Sequence, residues 1–329
     1  MNFQKNVFLK NYSSYKIGGA ARLFAEAGSV GELIQALRLS FDKLRIAQAF
    51  GSETQARRGK IAILGGGTNL LISDRGFDGL VIHNKIGGIL RLRSGQVEEV
   101  KVGSGVAVKD LLDFCIENSL SGLEWAGGLP GTVGGAVRGN AGAFGGEIRD
   151  NVCEVESLDP ETLEKKVRKE KECGFNYRES IWKTGFGEKE IITFVSLKFE
   201  KGNKEDIQAA ITEKIKYRKA RHPLEYPNIG SIFKNVPFES LPSNLKKEFG
   251  QYVKNDPFPV VPTAKIIFLS GLKGRRIGGA MVSDKHTNFI VNVGNAKAED
   301  VKQLIILEKQ TVKDKFGISI EEEIVYLGD

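Results

Sequence analysis

Residues 122–146 read GLEWAGGLPGTVGGAVRGNAGAFGG, with ten glycines in twenty-five positions and only Glu124 and Arg138 charged. A flexible linker is rich in Ser and polar residues. Here glycine is set among Leu, Val, Ala, Trp and Phe, so the stretch is expected to be buried or half-buried. Glycine there admits positive φ and lets backbone approach a ligand closely. Successive N–H groups in such turns form concave nests for anions, phosphates above all. A tight turn in a small sheet is the plainer reading, and a ligand cradle is favoured over it.

Residues 61–72, IAILGGGTNLLI, repeat the theme: an apolar strand runs into Gly65, Gly66 and Gly67, then Thr68, Asn69 and a second apolar run. Neither G-x-G-x-x-G opening a helix nor G-x-x-x-x-G-K-[ST] is present, so the Rossmann and P-loop readings fail. Two phosphate-sized loops about sixty residues apart suggest one large ligand gripped from two sides, such as a dinucleotide.

The chain has 329 residues, 41% apolar and 27% charged, as expected of two or three globular domains. No apolar run approaches the roughly 18–20 residues that cross a bilayer, and MNFQKNVFLKNYSSYK has no signal-peptide h-region. Membrane insertion is therefore not expected, and a cytoplasmic location is. Cys115, Cys153 and Cys173 are odd in number and widely spaced, which argues against disulfides and zinc. With only His83, His222 and His286, no metal site is expected. The net charge of +7 suits anionic ligands, but the basic residues are dispersed and a nucleic-acid partner is not expected.

Periodicity divides the chain into units at 1–85, 86–202 and 203–329. The first is expected to carry a strand at 21–27, a helix at 29–39 capped by Ser29, and strands around 61–64 and 80–83. Residues 47–60 read as a surface insertion. The second unit carries strands at 88–91, 97–102, 152–158, 165–171 and 191–199 and a helix at 108–117. The third opens with a charged helix at 204–219, stopped by Pro223 and Pro227. A Gly-Ser turn into a strand follows at 228–235. Residues 237–262, with five prolines, read as a loop or insertion. Core segments at 265–272 and 281–293, a helix at 298–316 and a terminal strand complete the chain.

Six stretches, in order, then carry a family resemblance: GGGTNLLISDRGFDGLVI (65–82), GLPGTVGGAVRGNAGAFGGEIRD (128–150), FNYRES (175–180), PNIGSIFKN (227–235), GLKGRRIGGAMVSDKHTNFIVN (271–292) and EEIVYLG near the end. The chain resembles the UDP-N-acetylenolpyruvoylglucosamine reductases, flavoenzymes of peptidoglycan precursor synthesis, in their more compact subtype. The resemblance implies an α+β fold: a two-part FAD-binding module like that of the vanillyl-alcohol-oxidase-like flavoproteins, followed by a C-terminal α+β substrate domain. It implies FAD as cofactor, NADPH as reductant, a UDP-sugar substrate and a monomeric enzyme. The hydride adds to C3 of the enolpyruvyl ether, and C2 is then protonated to give UDP-N-acetylmuramate.

Residue by residue, it assigns FAD contacts to Gly65, Gly66, Gly67, Thr68, Asn69 and Leu70, and to Gly128, Pro130, Gly131, Thr132, Gly134, Gly135, Asn140, Ala141 and Gly142. It assigns substrate contacts to Tyr177, Lys219, Arg221 and Asn235. Arg178 matches the group that stabilises negative charge on the substrate carboxylate and C2. Ser231 matches the proton donor, whose hydroxyl must be polarised. Glu323 matches the terminal glutamate that assists Arg178. Strand alternation sets Glu321 and Glu323 on one face and Glu322 on the other. Gly139, Phe144 and Trp125 depart from common family residues, and Phe144 lacks the tyrosine hydroxyl frequent at its position. The alternatives are another FAD-dependent oxidase of the superfamily, acting on a sugar or lactone, which would not need the Ser231/Glu323 pair, and a non-catalytic nucleotide-binding protein.

Overall fold

The strand AARLFAEA puts Ala21 and Phe24 into one core and Ala25 and Ala27 into a neighbouring one, a register irregularity between Ala21 and Leu23 resetting the alternation, and it anchors the first sheet. The computed structural model describes residues 2–49, 60–94 and 97–328. The first unit contains β1 (Gln4–Phe8), β2 (Ala20–Ala27), α1 (Val30–Ala49), β3 (Lys60–Leu64), β4 (Leu70–Ile72) and β5 (Phe77–Asn84). Its sheet runs β1-β2-β5-β3, with β5 parallel to β2 and to β3. Ser29 caps α1 as expected, accepting from Glu32 N at 3.2 Å. Leu33, Ala36 and Leu37 bury the helix against the sheet. Of the expected 47–60 insertion, residues 47–49 end α1, Lys60 opens β3, and 50–59 lie outside the described residues.

The second unit contains β6 (Ile89–Ser94), β7 (Val97–Gly103), α2 (Val108–Glu117), β8 (Leu120–Ser121), α3 (Val133–Arg138), β9 (Gly142–Ala143), β10 (Gly146–Glu147), β11 (Val152–Leu158), β12 (Lys165–Lys169), α4 (Ile181–Thr184) and β13 (Ile191–Lys201). Its antiparallel sheet is ordered β12-β11-β13-β7-β6. Central β13 is buried over most of its length, the fate of its apolar run IITFVSLKF. Helix α5 (Lys204–Arg221) follows. The sequence reading opens the third unit with this helix, but Ile207 and Ile211 pack beside Leu112, Leu123 and Trp125 in the second core. An amphipathic stripe shows that a helix is buried, not against which sheet.

The third unit contains β14 (Val236–Pro237), α6 (Ser243–Phe249), β15 (Lys254–Asn255), β16 (Pro259–Val261), α7 (Thr263–Leu269), β17 (Arg276–Ile277), β18 (Ala280–Val282), β19 (Ile290–Asn292), α8 (Ala298–Phe316) and β20 (Val325–Leu327). The expected loop at 237–262 is instead folded. Leu241, Leu245, Phe249 and Val261 enter the core, and burying each such side chain is worth roughly 1.5–3 kcal/mol. Prolines here punctuate short elements, so no long periodic run signals them. The expected strand after Ser231 is only a bridge between Phe233 and Glu322.

Two features join the units. β20 returns to pair in parallel with β4, and Tyr15, Ile17 and Leu71 of the first unit complete the third core. That core also holds Glu308, 1% exposed, with neither carboxylate oxygen hydrogen-bonded; burial raises its pKa and keeps it neutral.

Candidate active site

FNYRES folds into a tight turn. Asn176 and Glu179 exchange backbone hydrogen bonds of 3.1 and 3.0 Å, which turns Arg178 to φ +58°. A non-glycine residue in this region costs about 1–2 kcal/mol, so its surroundings must hold it. Asn140 Nδ2 donates to Asn176 O at 2.9 Å, and Lys183 Nζ donates to Arg178 O at 3.1 Å. The Arg178 guanidinium is thereby aimed into the centre of the molecule. Its Nε lies 2.9 Å from Glu323 Oε1, its Nη2 donates to Gly142 O at 2.7 Å, and its Nη1 is buried with no partner. Burial opposes the charge, but Glu323 and its neighbours outweigh that and raise the Arg178 pKa. The ion side of the fork is satisfied within the protein, and one N–H edge is left for a bound anion.

Glu323 arrives from the far end of the chain. Its N–H donates to Ile232 O at 2.8 Å and Lys234 N–H donates to Glu321 O at 2.8 Å, so 232–234 runs beside 321–323. Alternation then sorts the three acids as the sequence suggests. Glu321 meets Lys234 at 2.7 Å, Glu322 turns to Lys309 on α8 at 2.8 Å, and Glu323 faces Arg178. Ser231, next to Ile232, is half-buried, and its hydroxyl engages no group among the described residues. Asn69 Nδ2 donates to Glu323 O at 3.1 Å, tying the first Gly loop to the same point.

Tyr177 and Asn235, expected to touch substrate, lie together: Asn235 N–H donates to Tyr177 Oη at 3.3 Å. The Tyr177 ring stands edge-on to Phe258 at 5.1 Å, and burial raises its hydroxyl pKa. Lys219 and Arg221 are both exposed near the end of α5, and Arg221 stacks on Tyr217. The basic residue that turns inward is Arg218. Its Nε donates to Gly127 O at 2.9 Å while its Nη2 is buried and unpartnered. Burial, and then the charge of Arg178, lowers its pKa. The sequence did hold a signal: Arg218 follows Ile211 by seven residues, two turns along the buried stripe. Phe144, at the tip of the β9–β10 hairpin, carries Lys214 and Arg218 over its ring, each at 5.3 Å.

The two Gly-rich loops touch. A Cβ on Gly66 would lie 2.7 Å from Gly131 Cα, and one on Gly65 would lie 2.7 Å from Thr132 Oγ1. They form one continuous ledge rather than two opposed jaws. The N–H groups of Gly66, Gly67, Thr68 and Asn69 donate to no acceptor among the described residues. This fits the diphosphate of a dinucleotide. Leu70 begins β4, and Gly128 and Gly131 take φ +73° and +102°. Pro130 lies between them, exposed. Gly134 N–H donates to Ser104 O, Gly135 N–H to Thr132 Oγ1 at 3.4 Å, and Ala141 N–H to Ala136 O. Gly142 offers its carbonyl to Arg178.

Asn140, expected at the cofactor, is 0% exposed, its Nδ2 also donates to Glu147 Oε1 at 3.2 Å, and its Oδ1 accepts from Arg149 N at 3.4 Å. Both polar atoms of its side-chain amide are engaged by protein, and through Asn176 O it braces the Arg178 turn.

His222 and His286 pack 5.4 Å apart near Phe289, and burial pushes each down to about 4, so both are neutral at pH 7. No cluster of His, Cys, Asp and Glu among the described residues could hold a metal ion.

Comparison with known proteins identifies relatives along the whole chain. Residues 222–327 match the model of the UDP-N-acetylenolpyruvoylglucosamine reductase C-terminal domain, and residues 48–163 match an FAD binding domain. The UDP-N-acetylenolpyruvoylglucosamine reductase of Caldanaerobacter subterraneus is 36% identical, over 98% of this chain and 92% of its own length. That of Listeria monocytogenes is 36% identical over 98% and 93%. The crystal structure of the Thermus caldophilus reductase superposes with a TM-score of 0.72 at 29% identity, covering 99% of each chain. The half-buried arginine–glutamate pair, the glycine ledge and these full-length likenesses lead to one statement: the chain belongs to the UDP-N-acetylenolpyruvoylglucosamine reductase family.

Proposed function

We propose that this chain is an FAD-containing, NADPH-dependent oxidoreductase that reduces UDP-N-acetylglucosamine enolpyruvate to UDP-N-acetylmuramate for peptidoglycan synthesis. The observation that carries this reading is the Arg178 guanidinium, fixed on two sides by Glu323 and Gly142 and left with a buried, unpartnered Nη1. Bound FAD, recharged by NADPH, supplies the hydride for C3 of the enolpyruvyl group; Gly65–Leu70 and Gly128–Thr132 would hold it.

The remaining work falls to the protein. Negative charge grows on the substrate carboxylate as C3 is reduced, and Arg178 Nη1 meets it in a site largely closed to water. Glu323 keeps the guanidinium charged and oriented through Nε. Ser231 is assigned the proton for C2; its hydroxyl engages no described protein group, so the polarisation this role needs has to come from the bound ligands, and the serine is reprotonated from water. Arg218, with Lys219 and Arg221 at the rim, faces the diphosphate; Tyr177 and Asn235 bound the sugar end. The first two units hold the cofactor and the third closes over substrate, with the last boundary after Arg221 because α5 packs with the second unit. Family membership supports a cytoplasmic location; no described helix is long and apolar enough to cross a membrane.

The test is anaerobic. The yellow protein is reduced with NADPH and mixed with UDP-N-acetylglucosamine enolpyruvate while flavin absorbance is followed. Rapid reoxidation, slowed about 10²–10⁴-fold in Ser231→Ala, is expected. A reduced protein that the substrate fails to reoxidise would remove the assignment.

A further inference from the structure

Lys183 sits on the short helix α4, five residues beyond Arg178, and its role is absent from the reading above. Its ammonium reaches back to Arg178 O at 3.1 Å and across to Glu323 O at 3.5 Å. The two carbonyls belong to the two residues whose side chains form the half-buried ion pair. Lys183 is half-buried, and a charge in such a place is retained only when its donors are used. Burial lowers its pKa, Glu323 and Glu179 draw it up, and Lys234 and Arg138 push it down. Two further contacts meet at the Glu323 backbone: Asn69 Nδ2 on the same carbonyl at 3.1 Å, and Ile232 O on the N–H at 2.8 Å. Glu323 is thus a junction of all three units, and Lys183 is the second unit's only side chain among these backbone contacts.

We propose that Lys183 is a positioning residue for the reaction: its ammonium joins the Arg178 and Glu323 backbones and so sets the guanidinium and carboxylate in register with the substrate. The Arg178 turn stands at positive φ, and its carbonyl is held by Lys183. Without that tie, the turn and the 321–323 segment stay joined only through side chains, the Arg178–Glu323 pair and the Lys234 bridge from Glu179 to Glu321, and their backbones lose a direct link. A displacement of about 1 Å at such a pair costs on the order of 10²-fold in rate. The proposal rests on the reading of Arg178 and Glu323 as catalytic.

The experiment uses FAD-loaded full-length protein. Lys183→Met and Lys183→Gln are compared with wild type for flavin reduction by NADPH, substrate affinity, substrate-dependent reoxidation and Tm. Reoxidation is expected to slow about 30–100-fold, with reduction, affinity and Tm nearly unchanged. Lys183→Arg, which keeps the charge and donors, recovers most of the rate. In a Glu323→Gln background the Lys183→Met change costs less than about fivefold more, because residues acting as one unit are not additive.

Reoxidation by Lys183→Met within about threefold of wild type overturns the proposal. So does an equal loss in the Glu323→Gln background, or a loss that comes with a matching fall in Tm and affinity. If the Met variant does not fold, the Gln variant is judged by the same criteria. Wild-type rates in Glu323→Gln and Arg178→Met would overturn the site reading and this proposal together. Slow Glu323→Gln beside fast Lys183 variants overturns the Lys183 role alone.

Discussion

Replacing Arg178 by Met removes the guanidinium while keeping much of the unbranched stem. Three contacts are at stake, and they separate cleanly. Nε and Nη2 hold Glu323 and Gly142 O, and only Nη1 is free to meet the substrate. The rate effect therefore follows from one preorganised donor, about 10²–10³-fold in the reoxidation step, or roughly 2.7–4 kcal/mol. The stability effect follows from the other two. A buried carbonyl loses its donor at about 1–3 kcal/mol, and Glu323, whose side chain is 23% exposed, is left without its cation. Partial exposure discounts that second cost, so Tm is expected to fall by several degrees without loss of the fold. Lys at 178 keeps a charge but not the fork, and should recover only a small part of the rate. The assay is stopped-flow mixing of prereduced protein with substrate, run beside the NADPH reduction step, which Met should leave within a few-fold. Reoxidation by Arg178→Met within threefold of wild type would refute the reasoning, since the rate effect is assigned to Nη1.

Further predictions concern the ledge and the histidine pair. Gly66→Ala puts a methyl 2.7 Å from Gly131 Cα, so backbone must move and the loops separate; purified protein should retain much less flavin, read as the ratio of visible to ultraviolet absorbance. Full flavin content there would show that loop contact is not needed for binding. His286, pushed by burial to about 4, stays neutral in the fold but is protonated below about 6.5 when unfolded. The unfolded state then binds more protons, so stability is lost as pH falls from about 6.5 towards 4, by about 2 kcal/mol at pH 5 for this residue. Urea midpoints at pH 7.5 and 5 should therefore differ less in His286→Gln than in wild type, and an equal difference would contradict the assignment.

Much of this was readable along the chain because local physics sets it. Helices α2 and α8 and strand β11 begin and end where apolar periodicity predicts. Glycine between apolar residues marked both loops, and alternation alone separated Glu322 from Glu321 and Glu323. By itself, then, the sequence determined the elements with a strong period, the absence of disulfide and zinc patterns, and, through ordered motifs, the family.

Tertiary structure decided which surfaces meet. It joined α5 to the second core, folded 237–262 around Leu245 and Phe249, brought β20 home to β4, and turned Arg218 inward while Lys219 and Arg221 stayed out. It also enclosed the Asn140 side chain in protein contacts and set Lys183 between the Arg178 and Glu323 carbonyls. The physical reason is common to all of these. A period of 3.6 or 2 fixes which face of an element is buried, but the partner of that face, and the carbonyl a long side chain finally reaches, depend on contacts between residues more than a hundred positions apart, such as Lys183 and Glu323.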